Sequence, residues 1–174
     1  MIRLTSAFVA ACLACAAASP ARAAEIFGGL YIHDIESPLT LSGVETGVDA
    51  QLGWRGGPIR FLRLQPYLFM SVNSNGNTHY AAAGISRKFG DEVYVRPGLG
   101  IAVHTGSANK YDIRGNHRIE FGSRVLFEPE LALGTKLNER MSIEASWVHL
   151  SHATLFSGEN PGIDNVGVRL NYRL

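Results

Sequence analysis

From Glu25 onward the chain alternates apolar and polar side chains with a period of two, the mark of half-exposed β-strands rather than helices. Val44, Thr46, Val48, Ala50, Leu52 and Trp54 face one way, and Glu45, Gly47, Asp49, Gln51, Gly53 and Arg55 the other. Val93, Val95, Pro97, Leu99, Ile101 and Val103 stand against Tyr94, Arg96, Gly98, Gly100, Ala102 and His104. Val125, Phe127, Pro129, Leu131, Leu133 and Leu137 stand against Glu128, Glu130 and Lys136. Further strands are expected over residues 26–34, 66–73, 78–89, 141–151 and 165–174, divided by turns rich in Gly, Asn and Asp. The pattern predicts an all-β meander of eight strands with no helix between them.

The polar faces decide what kind of meander it is. Glu45, Asp49, Arg55, Arg96, Glu128, Glu130, Glu144, Arg169 and Arg173 all lie opposite apolar rows. In a soluble sandwich the apolar rows would form the core. In an outer-membrane barrel they meet lipid, and the charges pair inside. Strands of about 9–11 residues match the length needed to cross a bilayer and exceed the ~5–6 usual in soluble sheets. The last strand also alternates up to Tyr172 and Leu174. The expectation is an eight-stranded antiparallel transmembrane β-barrel of the bacterial outer membrane, its narrow interior filled by side chains rather than open as a pore. Residues 35–43, 74–77, 105–123 and 152–162 then lie on the outer side, and residues 56–65 make a rather long periplasmic turn.

Composition agrees with export. The 174-residue chain is of single-domain size. It opens with Arg3, an apolar run over residues 7–18 and Ser19-Pro20-Ala21-Arg22-Ala23, which reads as a signal peptide at 1–23 leaving a barrel domain at 24–174. Val9-Ala10-Ala11-Cys12 only faintly resembles a lipoprotein processing site. Both cysteines, Cys12 and Cys15, fall within the leader, so the remainder has neither disulfide nor thiol chemistry. Without Arg3 and Arg22 the 16 basic residues become 14 against 15 acidic, a formal charge of −1 that points to no nucleic-acid partner. No other apolar run is long enough for a membrane helix. His33, His79, His104 and His117 are scattered without metal-ligand spacing, no glycine-rich phosphate loop precedes a helix, and neither metal nor organic cofactor is implied. Asp112 and Glu120 leave the 105–123 connection open as a cation or sugar contact, although a solvated loop is the simpler reading.

Candidate chemistry lies at the end of the seventh strand. Met141, Ile143, Ala145, Trp147, His149 and Ser151 share one face, so an apolar face ends in a histidine and a serine two residues apart. At ~3.3 Å per residue and a tilt near ~40°, about ten residues cross a ~25 Å apolar band, which sets His149 and Ser151 at the outer-leaflet boundary. Asp164 has the parity of Val166 and Val168 on the next strand and faces outward at the same end. Serine, histidine and carboxylate together make a nucleophile, a base and an orienting acid. A polar side chain near the interface costs only ~0–1 kcal/mol, so idle residues in a non-enzymatic barrel with a structural or adhesion role stay open as the alternative.

His149-Leu150-Ser151, the following outer loop, Asn160-Pro161-Gly162-Ile163-Asp164 and the terminal strand resemble the C-terminal signature of the lipid A 3-O-deacylase (PagL-type) family. The resemblance implies an eight-stranded outer-membrane barrel that hydrolyses the ester-linked acyl chain at the 3-position of lipid A. It implies lipid A, or lipopolysaccharide, in the outer leaflet as partner, a membrane location and a serine-esterase triad of Ser151, His149 and Asp164; it leaves the oligomeric state open. Two positions depart from the family. His152 follows the serine where asparagine is usual, so the oxyanion donor is either the His152 imidazole or a nearby backbone N–H such as that of Ala153. The acid is usually glutamate, and Glu159 is the fallback to Asp164.

Overall fold

The computed structural model describes residues 24–37, 40, 43–59, 61–109, 117–153, 155 and 161–174; the leader at 1–23, Asp112, Glu159 and Asn160 lie outside the described residues. The alternating stretches form β1 (Glu25–Ile32), β2 (Val48–Arg55), β3 (Gln65–Asn73), β4 (Tyr80–Ser86), β5 (Phe89–Gly90), β6 (Val93–His104), β7 (Val125–Lys136), β8 (Met141–Leu150) and β9 (Ile163–Arg173). The named strands all pair antiparallel, and β1 pairs with β9 to close the sheet. β4 and β5 both pair with β6 and are two pieces of one barrel strand, so the closed barrel has eight strands, as the alternation predicts. The break between the pieces has a local cause. Arg87 N–H donates to the Pro97 carbonyl at 3.0 Å, and Pro97 has no N–H to return.

Burial settles the direction of the two faces. Leu30, Leu52, Met70, Leu99, Ile101, Leu133, Val168 and Leu170 are exposed on the outside, while Arg55, Arg96, Glu128, Glu130, Glu144 and Arg169 are buried within. The apolar rows therefore form the lipid-facing belt, as the barrel reading requires and the sandwich reading does not. Inside, most of these charges are paired, and Glu128 instead accepts from the Tyr67 hydroxyl. Arg96 reaches Glu25 at 2.7 Å and Glu144 at 3.2 Å; Arg169 reaches Glu130 at 2.8 Å; Arg55 reaches Glu25 at 3.2 Å and Glu130 at 3.4 Å. The Arg55 and Arg169 guanidiniums also lie 4.8 and 4.7 Å from the Phe27 ring centre, so an aromatic face takes up part of their charge.

Two expected boundaries shift. The second strand begins at Val48 rather than Val44. Asp34, at a φ of 53°, turns the chain out of β1, and its Oδ2 accepts the N–H groups of Gly43, Val44 and Glu45 at 3.1, 2.9 and 2.9 Å. Those donors are spent on a carboxylate, not on a ladder, and Gly47 at a φ of 122° supplies the bend back into β2. The long periplasmic connection is a small closed hairpin, with Gly56 N–H on the Pro66 carbonyl at 2.8 Å and Ile59 N–H on the Leu64 carbonyl at 2.7 Å.

Candidate active site

β8 and β9 are paired so that His149 lies directly opposite Asp164. In an antiparallel pair, opposed residues share a face, which puts both side chains on the outside together with Ser151. Asp164 accepts a hydrogen bond from His149 Nδ1 at 2.8 Å, and His149 Nε2 lies 2.9 Å from Ser151 Oγ. A carboxylate can only accept, so Nδ1 carries the ring proton; Nε2 of the neutral imidazole is then left to accept from the serine hydroxyl. Sequence parity alone anticipates this face, and the structure brings the three side chains into contact.

The backbone around them is equally particular. Ser151 extends the β7–β8 ladder, its N–H meeting the Phe127 carbonyl at 3.2 Å and its carbonyl accepting the Phe127 N–H at 2.7 Å. One ladder step before it, the register places Pro129 across from His149, and proline has no N–H to offer the histidine carbonyl. Continuous ladder pairing therefore ends at Glu130–Val148 and resumes at Phe127–Ser151. Gly162 closes over the pair from the far end of the loop. A Cβ there would fall 2.6 Å from the Leu150 carbonyl, 3.1 Å from Ser151 Cβ and 3.3 Å from His149 Cε1, so no larger residue fits without a shift.

Although these side chains face the lipid side, they are covered: Asp164 is fully buried, and His149 and Ser151 are 8% and 7% exposed. The cover comes from the segment after β1, where Ile35 N–H donates to the Asp164 carbonyl at 2.8 Å. Ser37 Oγ–H donates to Asp164 Oδ2, and Thr40 Oγ1–H reaches the same oxygen at 3.1 Å. The Trp147 indole N–H donates to Oδ1 at 2.8 Å, and its ring stacks against His149 with centres 5.8 Å apart. Sequence reasoning placed Trp147 on this face without seeing its bond to the acid, and it missed Ser37, Thr40 and the role of Gly162. Periodicity carries no signal for the two hydroxyls, which meet Asp164 from 127 and 124 residues away.

His152 and Ala153 directly follow the serine, and the other histidines lie elsewhere in the barrel. His152 is fully buried and its carbonyl accepts the Leu155 N–H at 3.0 Å; Ala153 turns the chain at a φ of 52°. His33 sits inside the outer end of the barrel, its ring bridging Asp49 at 3.0 Å and Glu45 at 3.1 Å. Burial opposes its charge, but the hydrogen bonds to Asp49 and Glu45 outweigh burial and raise its pKa to about 9. His79 accepts the Asn73 N–H at 3.0 Å, and His104 lies 2.8 Å from the Ser123 carbonyl. Among the described residues, no group of three or more His, Cys, Asp or Glu side chains is placed to hold a metal ion.

Comparison with solved structures places the fold. The crystal structure of the outer membrane enzyme PagL superposes with a TM-score of 0.61 at 19% identity, over 86% of this chain and 99% of that one. Neisserial surface protein A aligns with a TM-score of 0.58 at 10% identity, over 87% and 97% of the two chains. The Yersinia pestis outer membrane protein Ail aligns with a TM-score of 0.51 at 11% identity, over 87% and 99%. No match is found among curated protein sequences. The sequence model of lipid A 3-O-deacylase (PagL) matches residues 40–173, a span that takes in β2 through β9 and the whole His149–Ser151–Asp164 cluster, and on that match this chain belongs to the lipid A 3-O-deacylase family of ester hydrolases.

Proposed function

We propose that the protein is exported on the leader at 1–23, resides in the outer membrane, and removes the 3-position acyl chain of lipid A with Ser151 as nucleophile, His149 as general base and Asp164 as orienting acid. Ser151 Oγ attacks the ester carbonyl while its proton passes to His149 Nε2. The tetrahedral intermediate collapses, its C–O bond to the sugar breaks, and the sugar 3-hydroxyl leaves with the proton from His149. Water, deprotonated by the same imidazole, then hydrolyses the acyl-serine and releases the fatty acid. Asp164 holds the Nδ1–H tautomer and stabilises the imidazolium that forms in each half-reaction. We assign the oxyanion donor to the turn just after the nucleophile, at His152 or the Ala153 backbone. A lipid-facing site suits this substrate, whose ester lies at the outer-leaflet boundary and need not leave the membrane.

The observation that carries the reading is the unbroken chain from Asp164 Oδ1 through His149 to Ser151 Oγ, at 2.8 and 2.9 Å. The barrel by itself does not carry it, since a de novo designed transmembrane β-barrel aligns with a TM-score of 0.53 at 9% identity. The test expresses wild type and Ser151→Ala in a Gram-negative outer membrane and weighs the extracted lipid A by mass spectrometry. Loss of one hydroxyacyl chain with the wild type only is expected. Equal lipid A masses would overturn the reading in favour of a barrel whose polar rim is incidental.

A further inference from the structure

His149 engages only one of the two oxygens of Asp164. A short acid could turn about its Cβ–Cγ bond and spoil that contact, so what holds the second oxygen decides whether the acid is set or loose. Oδ1 accepts from His149 Nδ1 and Trp147 Nε1, each at 2.8 Å, and Oδ2 accepts from Ser37 Oγ and Thr40 Oγ1. Four donors match the roughly four lone-pair sites of a carboxylate. With two on each oxygen, a rotation of the group would break all of them.

The segment that delivers the two hydroxyls is itself built into the barrel. Asp34 N–H donates to Asn165 Oδ1 at 2.9 Å and Ile35 N–H to the Asp164 carbonyl at 2.8 Å, tying the segment to β9 at the acid and at the residue after it. Asp34 gathers the N–H groups of Gly43, Val44 and Glu45, and His33 bridges Asp49 and Glu45 within the barrel. Asn165 Nδ2 in turn donates to Tyr80 Oη at 3.0 Å. The two hydroxyls are thus held from below by a buried polar network.

We propose that Ser37 and Thr40 are positioning residues of the active site, clamping Asp164 Oδ2 so that Oδ1 stays in line with His149. The assignment rests on the triad reading above. It makes the first outer connection part of the catalytic machinery rather than a solvated loop. Each hydroxyl is bonded to Asp164 Oδ2 and acts on the site through that acid.

The experiment compares Ser37→Ala, Thr40→Ala, the double alanine variant and the exchange S37T/T40S, each purified as the folded barrel and assayed on lipid A micelles, with retarded mobility on unheated gels as the folding check. The expected result for the double alanine variant is a fall in kcat of about 10- to 100-fold with KM unchanged, from the loss of two charge-assisted hydrogen bonds to the acid. The exchange, which keeps both hydroxyls, recovers most of that loss. A double alanine variant with wild-type kcat, or an exchange as slow as the alanines, overturns the assignment. So does a rise in KM at constant kcat, which would make the segment a substrate contact. If the double variant does not fold, the single variants and the exchange are read by the same criteria. Ser151→Ala and His149→Ala in the same assay keep the two readings apart, because activity in those variants sinks the triad whatever the hydroxyls do.

Discussion

The barrel carries buried carboxylates in two settings, and their partners differ in one property. Inside, Glu130 meets Arg169 and Arg55, and Glu25 and Glu144 meet Arg96. A guanidinium keeps its proton at every accessible pH, so these pairs neutralise charge and fill the narrow interior but cannot pass a proton. Outside, Asp164 meets His149, whose imidazole can donate from one nitrogen and accept at the other and has a serine hydroxyl on its far nitrogen. The same chemical group is ballast on one side of the wall and machinery on the other. Arginine partners, and a histidine such as His33 with a carboxylate on each nitrogen, make structure; a histidine with a serine hydroxyl on its far nitrogen is placed for chemistry.

The largest expected effect is on the outer side. Asp164→Asn should keep the fold and lower kcat by about 10⁴-fold, because the amide no longer fixes the Nδ1–H tautomer; Glu159→Gln should leave kcat near wild type, and the reverse result would move the acid to Glu159. The interior should answer differently. Glu130→Gln leaves two buried guanidiniums short of a counter-charge and should destabilise the barrel by about 3–5 kcal/mol in urea unfolding from micelles, with kcat per folded molecule unchanged. A parallel loss of kcat would break the separation of the two regions. Gly162→Ala probes how tightly the outer site is set, since its methyl must displace the Leu150 carbonyl or Ser151. A shift of the order of 1 Å should cost about 10²-fold in kcat with little loss of stability.

The smallest effect should come from His33, which joins the two regions. Its folded pKa of about 9 lies above the ordinary ~6.5 of a free histidine, so the charged ring is bound more favourably in the folded state. The sign follows: the contribution is fully present below ~6.5 and is lost as pH rises through about 9. Thermal unfolding of the wild type should therefore drop between pH 7 and pH 10, and His33→Gln should flatten that drop. An unchanged slope in the variant would assign the alkaline loss to other groups.

Legibility in the sequence follows the range of the interactions. Strands were readable because alternation is local, and so was the common face of His149 and Ser151, which needs only a period of two. Asp164 was readable because the last two strands are neighbours in the chain as well as in the sheet. Residues 44–47 misled because their alternation is real but the Val44 and Glu45 N–H groups go to Asp34, a side-chain capture that no pattern of polarity reveals. Ser37 and Thr40 were unreadable for a stronger reason: they reach the acid only after the whole sheet has closed. The effect of Pro129 opposite His149 depended on register, which no local pattern carries.

The pairing of β1 with β9 has a consequence for how the protein comes to life. The proposed nucleophile, base and acid all reside on the final hairpin, whereas the hydroxyls on Asp164 arrive just after the first strand. The site therefore straddles the seam at which the two ends of the chain are zipped together. A nascent or partly inserted chain, however complete its strands, has no finished hydrolase. On the proposed triad, full turnover is reached only when the ring is sealed, which makes the rate of fatty acid release a clock for the last step of membrane assembly.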